Sequence, residues 1–427
     1  MVVSDNIFDR LPTNSRRLAF LRNLILVVAC ACGFGGCAGV VRNPLPADLA
    51  GEASIAGMHN IRAWGSEFSP VFQADMVESI RQARAVDPRG VVGPDGYVNV
   101  LAISGGGPDG AFGAGLLCGW TQAGNRPRFK LVTGISTGAL IAPFAFAGPQ
   151  YDPILKKFYT SLSTPDIYTP RPLLSLLAGT DALSDTTPLA HLLTQVVDEK
   201  LLAAVAQAHK QGRRLYIGTT NLDAGRLTIW NMGAIATHGG PQALDLFREI
   251  MRASASIPVA FPPVYLHVEA KGKTYDEMHV DGGASTQVFF YGFMLDLSAA
   301  VKEAGITAHT PIRIYVIRNG QIKSSWQTVQ PRLLPIANRS VSDLLFTQGV
   351  GDLYRIYTIA TRDGIDFKLA SIPEDYESKA KEAFDRVAMT RLFDTAFALA
   401  RDGYPWRSLP PGLRERSTTM TTANSGK

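Results

Sequence analysis

A serine between two glycines sets the chemistry to look for. Gly134-Ile135-Ser136-Thr137-Gly138 follows an apolar run, Phe129 to Thr133, and precedes a helical stretch from Ala139. In such a G-x-S-x-G the serine occupies a tight strand-to-helix turn with its hydroxyl thrust outward. A Cβ at 134 or 138 would collide with a neighbouring strand or helix. The helix opening after Ser136 aims free N–H groups and its positive dipole end at the same spot. Upstream, Ser104-Gly105-Gly106-Gly107-Pro108-Asp109-Gly110 closes the apolar strand Tyr97 to Ile103. Bare backbone N–H groups there suit the oxyanion formed when a serine attacks a carbonyl. Pro108 has no N–H, so Gly106 and Gly107 are the leading donors, with Gly105 and Thr137 beside them. A third motif, Asp281-Gly282-Gly283, ends the strand Tyr275 to Val280. A carboxylate at a strand's C-terminal end can face the cleft above an open α/β sheet.

Each motif alone has an ordinary explanation: a glycine turn, a tight or phosphate-binding loop, a turn-forming Asp-Gly. The acyl-transfer reading rests on context. The glycine loop and the serine turn each follow a predicted strand, open a helix, and lie within one αβ unit of each other. Further strands are expected at Arg213–Thr219, Arg226–Asn231, Pro311–Arg318 and Ile365–Ile372. Helices are expected at Ala111–Trp120, Ile141–Phe146, Tyr151–Ser161, Pro188–Lys210, Pro241–Ala253, Ser340–Arg362 and Glu377–Arg401. The Pro/Leu/Thr/Ser stretch from Ser163 to Leu189 interrupts this alternation and could cover the site as a lid.

The glycine loop, the serine turn, Ala253-Ser254-Ala255-Ser256-Ile257-Pro258 and Asp281-Gly282-Gly283, in this order, resemble the patatin-like acyl hydrolase family over most of the chain after Tyr97. The resemblance implies a three-layer α/β/α sandwich with a mostly parallel central sheet. It implies a Ser–Asp dyad with Ser136 as nucleophile and Asp281 as base, an acyl-enzyme intermediate, and no metal or cofactor. Gly110, Gly134, Gly138, Gly282 and Gly283 would support the motifs. Its substrate class would be a membrane lipid or lipid ester. Asp109 stands where the family often has a basic residue, which leaves the loop without a cation for an anionic head group.

The histidines bear on a rival Ser-His-Asp mechanism, whose order on an α/β sheet is Ser, acid, His. Only His309 follows Asp281, and it precedes a strand, at the end opposite the expected site. His279 lies two residues before Asp281 and is expected to pack or to support the dyad. A non-catalytic lipid-binding protein is the other alternative.

The 427 residues carry 46% hydrophobic and 19% charged residues and a net charge of +5. No Lys/Arg run or nucleic-acid motif accompanies that excess, so no nucleic-acid partner is expected. Residues 1–36 read as a leader: Arg16, Arg17 and Arg22, the apolar Leu24 to Ala31, then small residues before Cys37. This resembles a bacterial lipoprotein signal with Cys37 lipidated (Cys30 being the less suited alternative), which would hold the protein on a cell-envelope membrane. Residues 37–96 read as a tether with one helix, Met76 to Val86. Residues 97–404 would form the hydrolase domain and 405–427 a loose tail. Cys118 is the only cysteine of the folded body and reads as a core residue. Oligomeric state leaves no signal in the sequence.

Overall fold

The computed structural model describes residues 42–90, 92–172, 179–291, 294–306 and 310–414. Arg42–Arg171 together with Ala182–Lys427 form one compact unit, which holds every element named below. The strands of its main sheet are β1 (Arg62–Trp64), β2 (Val98–Ile103), β3 (Leu131–Ile135), β4 (Arg214–Asn221), β5 (Arg226–Asn231), β6 (Val264–Ala270), β7 (Lys273–Asp281), β8 (Ile312–Arg318) and β9 (Asp366–Ser371). The helices are α1 (Pro70–Val86), α2 (Gly110–Gln122), α3 (Thr137–Ala147), α4 (Asp152–Ser161), α5 (Thr164–Ile167), α6 (Thr187–Val196), α7 (Glu199–Lys210), α8 (Met232–His238), α9 (Gly240–Ser254), α10 (Leu297–Glu303), α11 (Leu333–Arg362) and α12 (Arg386–Arg401).

The central strands are apolar on both sides because both faces of the sheet are covered. Leu101, Ile103, Val132, Leu215, Ile217 and Ile317 join the core under α2–α4, α6–α9 and α12. Their alternating neighbours Val100, Ala102, Leu131, Tyr216, Ile314 and Val316 join a second core under α1, α10 and α11. This is the α/β/α sandwich expected. The strand order is β1-β5-β4-β3-β2-β8-β9. The five strands from β4 to β9 run parallel, while β5 and β1 add antiparallel at the edge.

β4 is longer than β3. Ile135 pairs with Gly218, and there β3 stops. β7 then takes the same side of β4, antiparallel, with Asp281 opposite Thr219 and His279 opposite Asn221. β6 hairpins with β7. This junction of two strands on one neighbour brings the serine turn and the aspartate motif together.

On the helical face, α2 meets α12 through glycines. A Cβ on Gly115 or Gly119 would lie 2.2 Å from the carbonyl oxygen of Phe393 or Phe397, respectively. Small residues four apart let the two backbones touch. Cys118 lies buried on the same helix, and burial pushes its thiol up to about 12, so it is an inert core residue.

Three expectations change. Residues 42–96 are not a tether. β1 extends the sheet beside β5, α1 buries Phe72, Met76 and Val77, and Arg42 bridges Asp223 and Asp276. The strand was hidden because three residues are too few to show a period of two. The expected helix over 188–210 is two helices. Asp198 interrupts it and accepts from Leu201 N–H at 2.9 Å as the cap of α7. Residues 405–414 are not loose: Trp406 packs on Trp120, Tyr315 and Tyr404, and Arg407 pairs with Leu369.

The N-terminal extension also reaches the strand that carries Asp281. Arg62 makes a two-pronged ion pair with the buried Glu277 of β7. Glu277 meets His279 Nε2 at 3.1 Å, and His279 Nδ1 meets Thr219 Oγ1 at 2.9 Å. Burial would raise the Glu277 carboxyl, but bonds from His279 and Arg62 outweigh it and hold it at about 2. Arg62→Ala strips the cation from a buried carboxylate, so it should lower unfolding free energy by about 3 kcal/mol in urea titration. A loss within about 0.5 kcal/mol would show that the extension does not brace the sheet.

Candidate active site

Ser136 sits at φ 54° and ψ −125°, a conformation side chains rarely adopt, between β3 and α3. Its surroundings hold it there. A Cβ on Gly134 would lie 2.4 Å from the carbonyl oxygen of Gly138, and one on Gly138 would lie 2.3 Å from that of Ile103. The Ser136 carbonyl accepts from Ala139 and Leu140 at 2.8 and 3.2 Å, starting the helix. Its N–H donates to Ser254 Oγ at 3.0 Å, and Ser254 donates to the Gly218 carbonyl at 2.7 Å. The end of α9 thus pins the turn to β4. Two residues on, the Ser256 carbonyl accepts from Asp281 N–H at 2.8 Å. In the sequence Ser254 and Ser256 are visible only as residues where a helix breaks before Pro258.

Ser136 Oγ donates to Asp281 Oδ2 at 2.6 Å. The other carboxylate oxygen, Oδ1, accepts from Gly283 N–H at 2.7 Å. Both side chains are almost wholly buried. Burial pushes the Asp281 carboxyl up to about 7, against the lowering effect of the bonds from Ser136 and Gly283. Gly282 is needed for the fit, since a Cβ there would lie 2.5 Å from the Gly218 carbonyl oxygen. A Cβ on Gly283 would lie 3.0 Å from Asp281 Oδ1.

The glycine loop stands beside the serine. Gly106 and Gly107 have φ +154° and +55°, conformations that suit glycine. Their N–H groups, and that of Thr137, have no backbone acceptor among the described residues. Gly105 differs from expectation: its N–H is donated to the Gln287 carbonyl at 2.9 Å and is not free for a ligand. Gly110 lets the loop close on α3, because a Cβ there would lie 2.1 Å from Thr137 Oγ1. Asn319, just past β8, shapes the loop from behind. Its N–H and Nδ2 donate to Ser104 Oγ and the Ser104 carbonyl at 2.8 Å each, and its Oδ1 accepts from Gly113 N–H at 3.0 Å. Gln287 and Asn319 belong to no motif, and only the fold reveals them. Burial pushes the Asp109 carboxyl up to about 6, and the opposing charge of Arg318 tempers the rise. The cation absent from the loop is therefore present nearby, at the end of β8.

A narrow apolar cavity of about 30 Å³ touches Ser136 and Thr137 and is lined by Leu140, Phe158, Ile167 and Phe261. It has room for about one water molecule, so an acyl chain enters only if these side chains give way. Phe261, expected either to pack or to meet an acyl chain, is buried against Tyr168 and faces this cavity. His279 is buried between Thr219 and Glu277 and makes no bond to the serine. Among the described residues, Asp281 is the only side chain that bonds Ser136 Oγ. His309, Cys37 and Cys30 lie outside the described residues, as does 173–178 of the expected lid.

Residues 101–293 match the family model of patatin-like phospholipases. No curated protein matches the chain. Among solved structures, the crystal structure of VipD from Legionella pneumophila is similar at 12% identity and a TM-score of 0.32, over 72% of this chain and 67% of that one. Residues 101–293 are therefore a patatin-like phospholipase domain, which supports lipid acyl hydrolase activity in general.

Proposed function

We propose that this protein hydrolyses lipid acyl esters with Ser136 as nucleophile and Asp281 as general base. The observation that carries the reading is the 2.6 Å hydrogen bond from Ser136 Oγ to a carboxyl whose pKa burial raises to about 7. A carboxylate at its ordinary pKa is a weak base; one poised near the working pH can take a proton effectively. As Ser136 Oγ attacks the ester carbonyl, its proton passes to Asp281 Oδ2. The oxyanion is met by the N–H groups of Gly106, Gly107 and Thr137 at the start of α3. Asp281 returns the proton to the leaving alcohol and an acyl-serine remains. Water, deprotonated by Asp281, releases the fatty acid. The apolar lining beside Ser136 suits the acyl chain.

Asp281→Asn should lower kcat by about 10²–10⁴-fold on a short p-nitrophenyl ester, and Ser136→Ala should leave only background hydrolysis. Near-parental turnover in Asp281→Asn would sink the dyad. Parallel loss in a folded His309→Ala variant would move the assignment to a triad. Asp281 must be ionised to act, so kcat/KM should rise with pH through about 7. A profile flat from pH 5 to 8 would exclude Asp281 as the titrating base. Stability should move the other way. The folded pKa lies above the unfolded one, so ionisation costs stability as pH climbs from the ordinary carboxylate range through about 7. Asp281→Asn should therefore melt no earlier than the parent at pH 8, which thermal unfolding measures and which separates lost chemistry from lost fold.

We further infer that Cys37 carries a lipid that holds the protein on a bacterial envelope membrane. Cys37→Ala should leave the leader uncleaved and abolish labelling with a fatty-acid analogue. Unchanged labelling would move the site to Cys30 or exclude lipidation at Cys37.

A further inference from the structure

One part of the molecule exposes what the rest hides. α11 is 30 residues long, but its first buried residue is Gly349. The second half packs on the body through Asp352, Leu353, Ile356, Ile359 and Ala360. The first four turns, 333–348, stand clear of it and span about 24 Å at 1.5 Å per residue. Leu333 is 82% exposed, Leu334 71% and Leu344 70%, with Val341 and Leu345 also in solvent. Trp326, in the segment leading into the helix, is 98% exposed.

These residues are ordered on the helix surface. At about 100° per residue, Leu333, Leu334, Ala337, Val341, Leu344 and Leu345 fall within one sector of about 120°. Arg339 and Asp343 lie on the opposite side, paired at 3.1 Å. Lys323 and Arg332 flank Trp326 and the start of the stripe, exposed and without an ionic partner among the described residues. An apolar stripe, a free tryptophan and unpaired cations match the chemistry of an anionic bilayer surface, where Trp sits at the interface and Lys and Arg meet phosphate. Among the described residues no helix is long and apolar enough to cross a membrane, so this one would lie in the surface and not span it.

The arm also stands at the end of the molecule where lipid must arrive. It begins four residues past Asn319, which supports the glycine loop. It ends at Gln348, whose Oε1 accepts from Gln287 Nε2 at 3.2 Å; the same Nε2 donates to the Gly283 carbonyl at 2.9 Å. Both roots are thus level with the C-terminal strand ends that carry Ser136 and Asp281, and 333–348 projects beyond that edge.

We propose that residues 323–348 are an interfacial docking arm that inserts its apolar stripe into an anionic bilayer surface and presents the active-site end of the sheet to it. The choice of partner rests on the lipid-hydrolase reading above. The test is amide hydrogen exchange of the full chain with and without vesicles of phosphatidylglycerol and phosphatidylcholine. Peptides covering 326–345 should exchange about tenfold more slowly with mixed vesicles, and less so with phosphatidylcholine alone. Leu334→Ser/Val341→Ser/Leu344→Ser should abolish that slowing while keeping turnover of a soluble short ester. Lys323→Gln/Arg332→Gln should remove the preference for the anionic lipid. Exchange in the arm unchanged by vesicles would overturn the proposal. So would protection without vesicles that grows with protein concentration, which would assign the stripe to a second copy of the chain. Protection of the arm in a parent that hydrolyses no ester would support docking and refute the hydrolase reading, so the two fail separately.

Discussion

The site depends on one shared edge. β3 and β7 come from distant parts of the chain and run in opposite directions, yet both pair with the same side of β4, in tandem. Ile135 opposite Gly218 and Asp281 opposite Thr219 occupy neighbouring rungs. The Ser136–Asp281 contact is therefore set by strand register more than by loop shape. Register is quantised: a one-residue slip would turn Asp281 to the other face of the sheet and put Val280 or Gly282 in its place. Gly282 lets its backbone approach that of Gly218, and Gly218 leaves room for the Ile135 side chain at the junction.

The same junction concentrates cost. Ser136 is held in an unfavourable backbone conformation, and Asp281 is a carboxyl deprived of water. Neither would persist on its own. Polar groups from remote segments over-determine both: the Ser254 hydroxyl on the serine's N–H, the Ser256 carbonyl on the aspartate's N–H, the Gln287 carbonyl on Gly105, and Asn319 behind the loop. The buried Arg62–Glu277–His279–Thr219 chain adds support two rungs away. A strained nucleophile beside a desolvated base can thus exist in a stable domain.

Much of this was legible in the residues because the parts with the narrowest tolerances are made of glycine. Gly106, Gly134, Gly138 and Gly282 each mark a close backbone approach that a Cβ would block, and such positions stand out in the sequence as glycine motifs. The strands were legible for a related reason: a parallel strand buried on both faces reads as an apolar run. What stayed hidden depended on contacts between distant segments. Gly105 looks like its neighbours, but the Gln287 carbonyl claims its N–H. β1 is too short to show a period, and its place is set by β5. α7 begins at a cap that interrupts an unbroken apolar rhythm. The start of α11 carries Pro335 and sits on no core, so packing could not announce it.

The sequence distance between the two members of the site has a consequence for biosynthesis. Ser136 precedes Asp281 by 145 residues. A chain emerging from its N-terminus can pair β2, β3, β4 and β5 and shape the serine turn well before β7 exists. On the proposed mechanism, that intermediate holds a serine with no base. Reactivity toward lipid is withheld until the last strand of the junction docks, so a stalled or truncated product is chemically silent in the cell that makes it.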